Sequence, residues 1–194
     1  MEHCLLLPVF FPILAGVLLL LKRDFKERRS LLVYTGAVLV LGGAFAFFAV
    51  MVPADGVTLF YLTKEFPIFF ELDTLGRFFS VTVTLVWVLA GFFSFEYMKH
   101  EKNEKRYYGV YLIVFGVLLG LDFAGNLITL YLFYELMTLT SLPLVLHTQS
   151  REAVMAGLRY LFFSFAGAYM ALFGIYFICH FGTTLRFTAG GVIP

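Results

Sequence analysis

Hydrophobic residues fall into six long runs along the chain, and short polar stretches separate the runs. A membrane-spanning helix needs about 20 mostly apolar residues, because the hydrocarbon core of a bilayer is about 30 Å thick. Backbone groups in lipid must bond to one another, which makes helices the expected structure for runs of this length. The pattern therefore predicts an all-α integral membrane protein, with a single transmembrane domain over residues 1–194. The six expected helices cover residues 4–21, 30–52, 74–98, 107–125, 126–146 and 152–179, and a tail covers residues 180–194. The fourth run reaches spanning length only when it continues through Asp122 to Gly125.

The longest connection, residues 53–73, is not purely polar. Two runs rich in β-branched and aromatic residues, residues 57–63 and 66–72, flank Lys64 and Glu65. Runs of this kind around a short polar turn are typical of a β-hairpin. The sequence predicts a short hairpin on the outer face of the membrane, between the second and third helices. Asp73 directly precedes the third helix and is expected to cap it.

Composition agrees with a membrane protein and excludes other classes. Of the 194 residues, 61% are hydrophobic and 14% are charged, whereas soluble domains carry about 25% charge. The formal net charge of +1 argues against nucleic acid as a partner. Cys4 and Cys179 lie far apart and form no CxxC pair, so neither a disulfide framework nor a zinc site is expected. No metal-ligand cluster, haem pair or phosphate loop is evident, and we expect no cofactor.

Basic residues are concentrated in three of the connections. Residues 22–29 contain five Lys or Arg residues, residues 99–106 contain four, and the connection after the fifth helix contains Arg151. The connections on the opposite side are residues 53–73 and 122–126. Lys64 is the only Lys or Arg residue in them. By the positive-inside rule the basic connections face the cytoplasm, and both chain termini then lie outside.

One carboxylate, Glu135, lies within the fifth run. Helical rise places it roughly 13 Å from Asn126 and roughly 18 Å from His147, close to the middle of the membrane. An acid at that depth costs about 2.5–3.5 kcal/mol, which marks it as a functional candidate. Further polar side chains recur at helical spacing on the same side and form a stripe that must face protein or water: Tyr131, Tyr134, Thr138 and Ser141.

The sixth run supplies a counter-charge, Arg159. The fifth and sixth helices are joined by a few residues and must be antiparallel neighbours, which leaves Glu135 and Arg159 roughly 8 Å apart in depth. Two long side chains or one water can bridge that gap. The alternative is that Arg159 extends to the cytoplasmic surface and pairs with nothing in the membrane.

His147 lies at the cytoplasmic mouth of the polar stripe. A histidine there could pass protons, because it titrates near neutral pH. A solvated loop histidine is the more frequent case. We retain His147, Tyr131 and Thr138 as auxiliary candidates beside Glu135 and Arg159.

Three motifs resemble the antiporter-like family of membrane subunits. Residues 126–144, NLITLYLFYELMTLTSLPL, resemble the fifth-helix signature of that family. Residues 71–79, ELDTLGRFF, and residues 156–161, AGLRYL, are similar to the segments that enter its third and sixth helices. The family comprises the proton-translocating membrane subunits of respiratory complex I, Mrp-type sodium/proton antiporters and membrane-bound hydrogenases.

The resemblance implies a function and a set of partners. It implies that Glu135 takes part in proton transfer, and that Arg159 occupies a position where the family usually has lysine. Arginine does not deprotonate in proteins, so Arg159 could tune Glu135 but not carry its proton. Family members have about fourteen helices in inverted repeats, and the later helices contain buried lysines. We therefore expect a partner chain or segment that supplies those helices, other membrane subunits around it, and the lipid bilayer.

Two hypotheses follow for a multi-pass protein of the cell's inner (cytoplasmic) membrane. The first is a proton-translocating, or sodium/proton-translocating, subunit coupled to redox chemistry or cation exchange in a larger complex. The second is a structural or assembly subunit of the same fold, or a degenerate fragment of it, that packs beside a complete antiporter without conducting. An independent enzyme is the least favoured interpretation, because no nucleophile–base or metal constellation is present.

Overall fold

The computed structural model describes residues 2–22, 27–52, 56–64, 66–182 and 184–188 of the chain. Within this part, a short 3-10 turn over Glu2–Leu5 leads into the first of six α-helices, and a second 3-10 turn, Met98–His100, extends the third. The helices and the two strands follow one another in the order α1 Leu6–Leu21, α2 Arg28–Met51, β1 Val57–Thr63, β2 Phe66–Phe70, α3 Thr74–Tyr97, α4 Glu104–Asp122, α5 Leu127–Val145 and α6 Arg151–Phe181.

Four helices in the described part are long and apolar enough to cross a membrane: α2, α3 with its 3-10 extension, α5 and α6. Helix α1 is apolar but has only 16 residues. Helix α4 carries charged residues at both ends, Glu104, Lys105 and Arg106 at its start and Asp122 at its end. The predicted multi-pass helical membrane fold is confirmed, whereas the number of six spans and the outside position of the termini stay predictions.

Helix α4 lies at the centre of the bundle. It packs against α1, α2, α3 and α5, and more than half of its residues are buried. Gly109 and Gly116 face α1, where an added Cβ would collide with Leu20 and with the backbone of Val9. Glycines that let two helix backbones approach closely are a common device of membrane helix packing.

The predicted extension of the fourth helix through Gly125 is wrong, because α4 ends at Asp122. After that residue the backbone pairs with β2 instead of continuing the helical ladder. The Phe123 carbonyl accepts a hydrogen bond from the Glu71 amide at 2.9 Å, and the Gly125 amide donates to the Phe69 carbonyl at 3.1 Å. The Phe123 carbonyl and the Gly125 amide therefore have hydrogen-bond partners in or next to β2, and do not need a further turn of helix to supply them.

The predicted hairpin between the second and third helices is confirmed. Strands β1 and β2 pair in antiparallel register from Val57–Phe70 to Thr63–Phe66, with two irregularities. Ile68 and Phe70 of β2 are fully buried, which anchors the hairpin on the end of the bundle. Asp73 caps α3 as expected, since its carboxylate accepts a hydrogen bond from the Gly76 amide at 2.6 Å.

Hydrogen bonds draw the three basic connections together at the opposite end of the bundle. Arg28 pairs with Glu104 at 2.8 Å, and the Lys105 ammonium donates to the Lys22 carbonyl. The Arg106 guanidinium donates to the His147 carbonyl at 2.6 Å, which brings in the turn after α5. All the basic connections predicted to face one side of the membrane therefore share one end of the molecule.

Candidate functional site

Helix α5 carries the candidate carboxylate, and its start is held by the hairpin. The Asn126 side chain caps the helix by accepting from the Thr129 amide at 2.7 Å, and it donates to the Pro67 carbonyl at 2.8 Å. The Thr129 hydroxyl accepts a hydrogen bond from the Phe69 amide at 3.1 Å. Two hydrogen bonds, one from Asn126 and one to Thr129, thus attach the start of α5 to β2.

The rotation of α5 about its axis is set by Phe133. This side chain is buried against the backbone position of Gly120 in α4 and lies 5.3 Å, centroid to centroid, from the Phe70 ring. Glu135 follows two residues later, about 200° around the helix. It therefore lies on the face of α5 directed away from α4.

That face is the one that meets α6. Leu142 and Leu146 pack against Gly157 of α6, and they follow Glu135 by seven and eleven residues, which places all three on one stripe. Nearby, the Ser141 hydroxyl lies 2.8 Å from the Tyr160 hydroxyl of α6. Glu135 is half-buried and faces the neighbouring helix.

The hydroxyls on the polar stripe mostly bond to their own helix. Thr138 is buried and donates to the Tyr134 carbonyl at 3.3 Å. Ser141 donates to the Thr138 carbonyl at 3.2 Å in addition to its contact with Tyr160. Hydroxyls in helices commonly bond to a carbonyl one turn earlier, so this pattern shows satisfied groups rather than a dedicated ion path.

Tyr131 is the residue of the polar stripe that interacts with Glu135. It lies one turn before the carboxylate, and its hydroxyl is directed toward it. Tyr169 of α6 lies within electrostatic reach of this phenol. In the part of the chain that the structure describes, no ion pair reaches the Glu135 carboxylate.

The structure does not bring Arg159 to Glu135. Arg159 is exposed and lies beside Leu158, Phe162 and Phe163 on the surface of α6. It follows Gly157 by two residues, which rotates it about 200° from the face that contacts α5. Its pairing with Glu135 therefore stays a prediction, and one that needs either a different side-chain direction or a further helix.

His147 occupies the turn after α5 and is less exposed than a solvated loop residue. Its ring packs edge-on against Tyr107, with centroids 5.6 Å apart. Both ring nitrogens are shielded from solvent, and neither has a hydrogen-bond partner among the described residues. His147 is thus a half-buried residue with shielded ring nitrogens at the basic end of the bundle, and it stays an auxiliary candidate.

Sequence reasoning missed the two α6 tyrosines, Tyr160 and Tyr169. The signal was available for Tyr160, because it follows Gly157 by one turn and so shares the face of a small residue that permits close packing. Tyr169 gave no comparable signal. Within the described ranges, no group of three or more His, Cys, Asp or Glu side chains could hold a metal ion.

Comparison with known proteins identifies the family. Residues 62–108 match the model for the N-terminus of chain 5 of NADH-ubiquinone oxidoreductase (complex I). Residues 124–191, which include α5 and α6, match the model for the transmembrane region shared by NADH:quinone oxidoreductase and Mrp antiporters. The chain belongs to the antiporter-like family of membrane subunits.

Two relatives in this antiporter-like family match nearly the whole chain, and a third matches less than half of it. A Na(+)/H(+) antiporter subunit from Alkalihalophilus pseudofirmus is 23% identical over 96% of this chain and 38% of its own length. A second Na(+)/H(+) antiporter subunit, from Bacillus subtilis, is 22% identical over 92% of this chain and 36% of its own length. A third, from Staphylococcus aureus, is 31% identical over 44% of this chain and 11% of its own length.

A solved structure shares the fold. The membrane-bound sulfane sulfur reductase, an archaeal respiratory membrane complex, contains a chain that matches 95% of this one with a TM-score of 0.69 and 17% identity. The match covers 38% of that chain. This protein therefore spans about two fifths of the length of the Alkalihalophilus and Bacillus relatives and of the matching chain in the solved complex.

Proposed function

We propose that the chain forms an ion-translocating part of an antiporter-like subunit in a multisubunit complex of the cell's inner membrane. Glu135 is the proton-accepting group of this part. The observation that carries the proposal is its position: a half-buried carboxylate on the α6-facing stripe of a membrane-spanning helix, with no ion pair from the described residues. A carboxylate kept at this depth is costly, which favours a functional role over chance.

The surroundings of Glu135 suit proton exchange. Tyr131 supplies a hydroxyl beside Glu135, and phenol hydroxyls can donate and accept hydrogen bonds. Such groups can hold a water chain next to the carboxylate without themselves losing a proton. The names of the Alkalihalophilus and Bacillus relatives describe Na(+)/H(+) antiport, which supports ion translocation as the function of the subunit.

Arg159 acts at a contact with a further helix. Its side chain lies among Leu158, Phe162 and Phe163 on a face of α6 that nothing in the described chain covers. A charged side chain on an apolar membrane face needs a partner. We assign that partner to a later helix or a neighbouring subunit with polar groups at this depth, as the resemblance implies.

Replacement of Glu135 tests the proposal. The Glu135→Gln variant keeps the shape of the side chain and removes its proton-binding carboxylate. We expect it to abolish sodium- and proton-dependent transport by the assembled complex in everted vesicles of the host membrane, measured with a pH-sensitive dye. Assembly, followed on native gels, should be unchanged.

The matched control is Glu96→Gln, which removes a carboxylate paired with Lys99 at the exposed end of α3. It should transport like the unmodified protein. Full transport by Glu135→Gln would refute the proposed role of that residue. Equal losses in both variants would show a general effect of lost charge and would also count against it.

A second function, a non-conducting assembly subunit, is favoured by the exposed apolar face of α6. Joint replacement of Glu135 and Arg159 by leucine separates the two functions. A scaffold should retain transport by the neighbouring subunits, since its role needs only packing. A conducting subunit should lose transport, because leucine cannot bind a proton.

A further inference from the structure

A groove of about 440 Å³ runs between α2 and α3 and opens on the outside of the bundle. Its floor consists of small side chains, including Gly43, Ala46 and Thr84. Its rim is formed by large apolar side chains that are more than half exposed: Phe47, Leu85 and Leu89. In a membrane protein this shape offers an apolar slot to a molecule within the bilayer.

The length of the groove along α2 and α3 equals the thickness of the hydrocarbon region of one lipid leaflet. Its lining extends from Val40 to Val50 along α2 and from Ser80 to Leu89 along α3. Ten residues of helix rise correspond to about 15 Å, which is half of a hydrocarbon core about 30 Å thick. The slot therefore reaches from the membrane surface on the hairpin side to the middle of the bilayer.

A cation lies at the surface end of the groove. Arg77 precedes the lining residue Ser80 by one turn, and its guanidinium donates to the carbonyl of Val50, another lining residue. No other hydrogen bond or ion pair reaches this guanidinium from the described residues. Asp73, one turn earlier, uses its carboxylate to cap α3. Arginine presents several donors in a planar fork that suits phosphate oxygens.

We propose that this groove binds one phospholipid, with an acyl chain along α2 and α3 and its phosphate on Arg77. The apolar lining of the groove suits an acyl chain, and the length of the groove equals the thickness of one leaflet. The guanidinium of Arg77 suits the negatively charged phosphate of the lipid. This inference does not depend on the proposed transport function. It concerns helices on the other side of the bundle from the α5–α6 contact.

Photolabelling tests the site in the assembled complex. The complex is reconstituted into vesicles of phosphatidylethanolamine and phosphatidylglycerol that contain a trace of a diazirine-bearing phosphatidylglycerol. We expect the label on peptides that contain residues 40–50 and 80–89. The variant Val81→Trp fills the rim and should reduce this labelling severalfold, whereas Val86→Trp, at an exposed valine of the same helix outside the groove, should not.

Two further variants separate the occupants. Arg77→Gln removes a charge worth about 1 kcal/mol at an anionic surface, so retention of the lipid should fall about fivefold, while Arg77→Lys should retain more. Thr84→Val removes a shielded hydroxyl that has no hydrogen-bond partner among the described residues. It should leave the phospholipid unaffected and weaken a ligand that places a polar head at mid-membrane.

Three results would overturn the proposal. Equal labelling of Val81→Trp and Val86→Trp would show that the groove holds no lipid in preference to the rest of the surface. Labelling that responds to Thr84→Val and is displaced by a short-chain quinone would identify a quinone instead. Protection of the groove from the lipid by a cross-linked protein segment would identify a partner helix. Transport by Glu135 variants does not enter any of these outcomes.

Discussion

Helices α4 and α6 bury their surfaces to very different degrees. Eleven of the 19 residues of α4 are buried, but only three of the 31 residues of α6 are, Gly157, Ala168 and Ile175. Helix α4 completes its packing within α1–α5, whereas α6 touches α5 along one narrow face. Helices α1 to α5 therefore form one packed unit, and α6 is attached to it mainly through α5. Glu135 lies at the border between that unit and a helix whose surface is still open.

The strongest test of this contrast removes a buried ring. Phe133→Ala should cost about 3–5 kcal/mol of stability, because it leaves a cavity between α4, α5 and β2. Phe173→Ala on α6, where the ring is 63% exposed, should cost little. Unfolding of the purified protein by SDS, followed by circular dichroism, measures both. Equal losses would show that α6 is packed as tightly as α5.

A smaller effect is expected from added methyl groups. Gly116→Ala places a Cβ against the Val9 backbone, and overpacking of this kind costs about 1–3 kcal/mol. Gly174→Ala in α6 meets nothing within 4 Å and should change stability by less than about 0.5 kcal/mol.

The chain's single tryptophan measures this prediction. Trp87 stacks on Tyr111 of α4 at 4.8 Å and donates to its carbonyl at 3.1 Å, so its fluorescence reports on the packed unit. The Gly116 variant should lower the midpoint of the Trp87 transition, and the Gly174 variant should not. A lowered midpoint for Gly174→Ala would contradict an open α6 surface.

The smallest effect concerns the contact between α5 and α6. Tyr160→Phe removes the hydroxyl pair with Ser141 and should cost about 0.6 kcal/mol, the average for such bonds between membrane helices. Tyr176→Phe, at an exposed tyrosine of the same helix, is the control. The same SDS unfolding measurement applies. A loss of stability in Tyr160→Phe larger than that in Gly116→Ala would show that the α5–α6 contact is stronger than the α1–α4 contact, which is the opposite of the expected order.

Periodicity and turn chemistry predicted much of the fold. The hairpin was predicted because residues 57–63 and 66–72 have strand composition around a short turn, and the cap by Asp73 followed from its position. The end of α4 could not be predicted, because Phe123 and Gly125 leave the helix to pair with β2, a partner distant in sequence. The central place of α4 was hidden too, since its apolar run is the least convincing of the six.

The candidate site was predicted only in part. The short connection between the fifth and sixth helices correctly predicts that the helices carrying Glu135 and Arg159 pack against each other. The depth of each residue in the membrane follows from sequence spacing and stays a prediction. The direction of a side chain around a helix depends on which face packs, and Gly157 turns Arg159 outward. Small residues therefore deserve as much weight as charged ones when partners are assigned between membrane helices.

The two ends of α5 have a mechanical consequence. Asn126 and Thr129 fasten one end to the hairpin, and the carbonyl of His147 is bonded to Arg106 at the other. Pro143 lacks the amide that would stiffen the last turns. A helix that is held at both ends and pushed from the side bends most near its middle. A sideways push from a neighbouring helix would therefore displace Glu135 further than either end of α5.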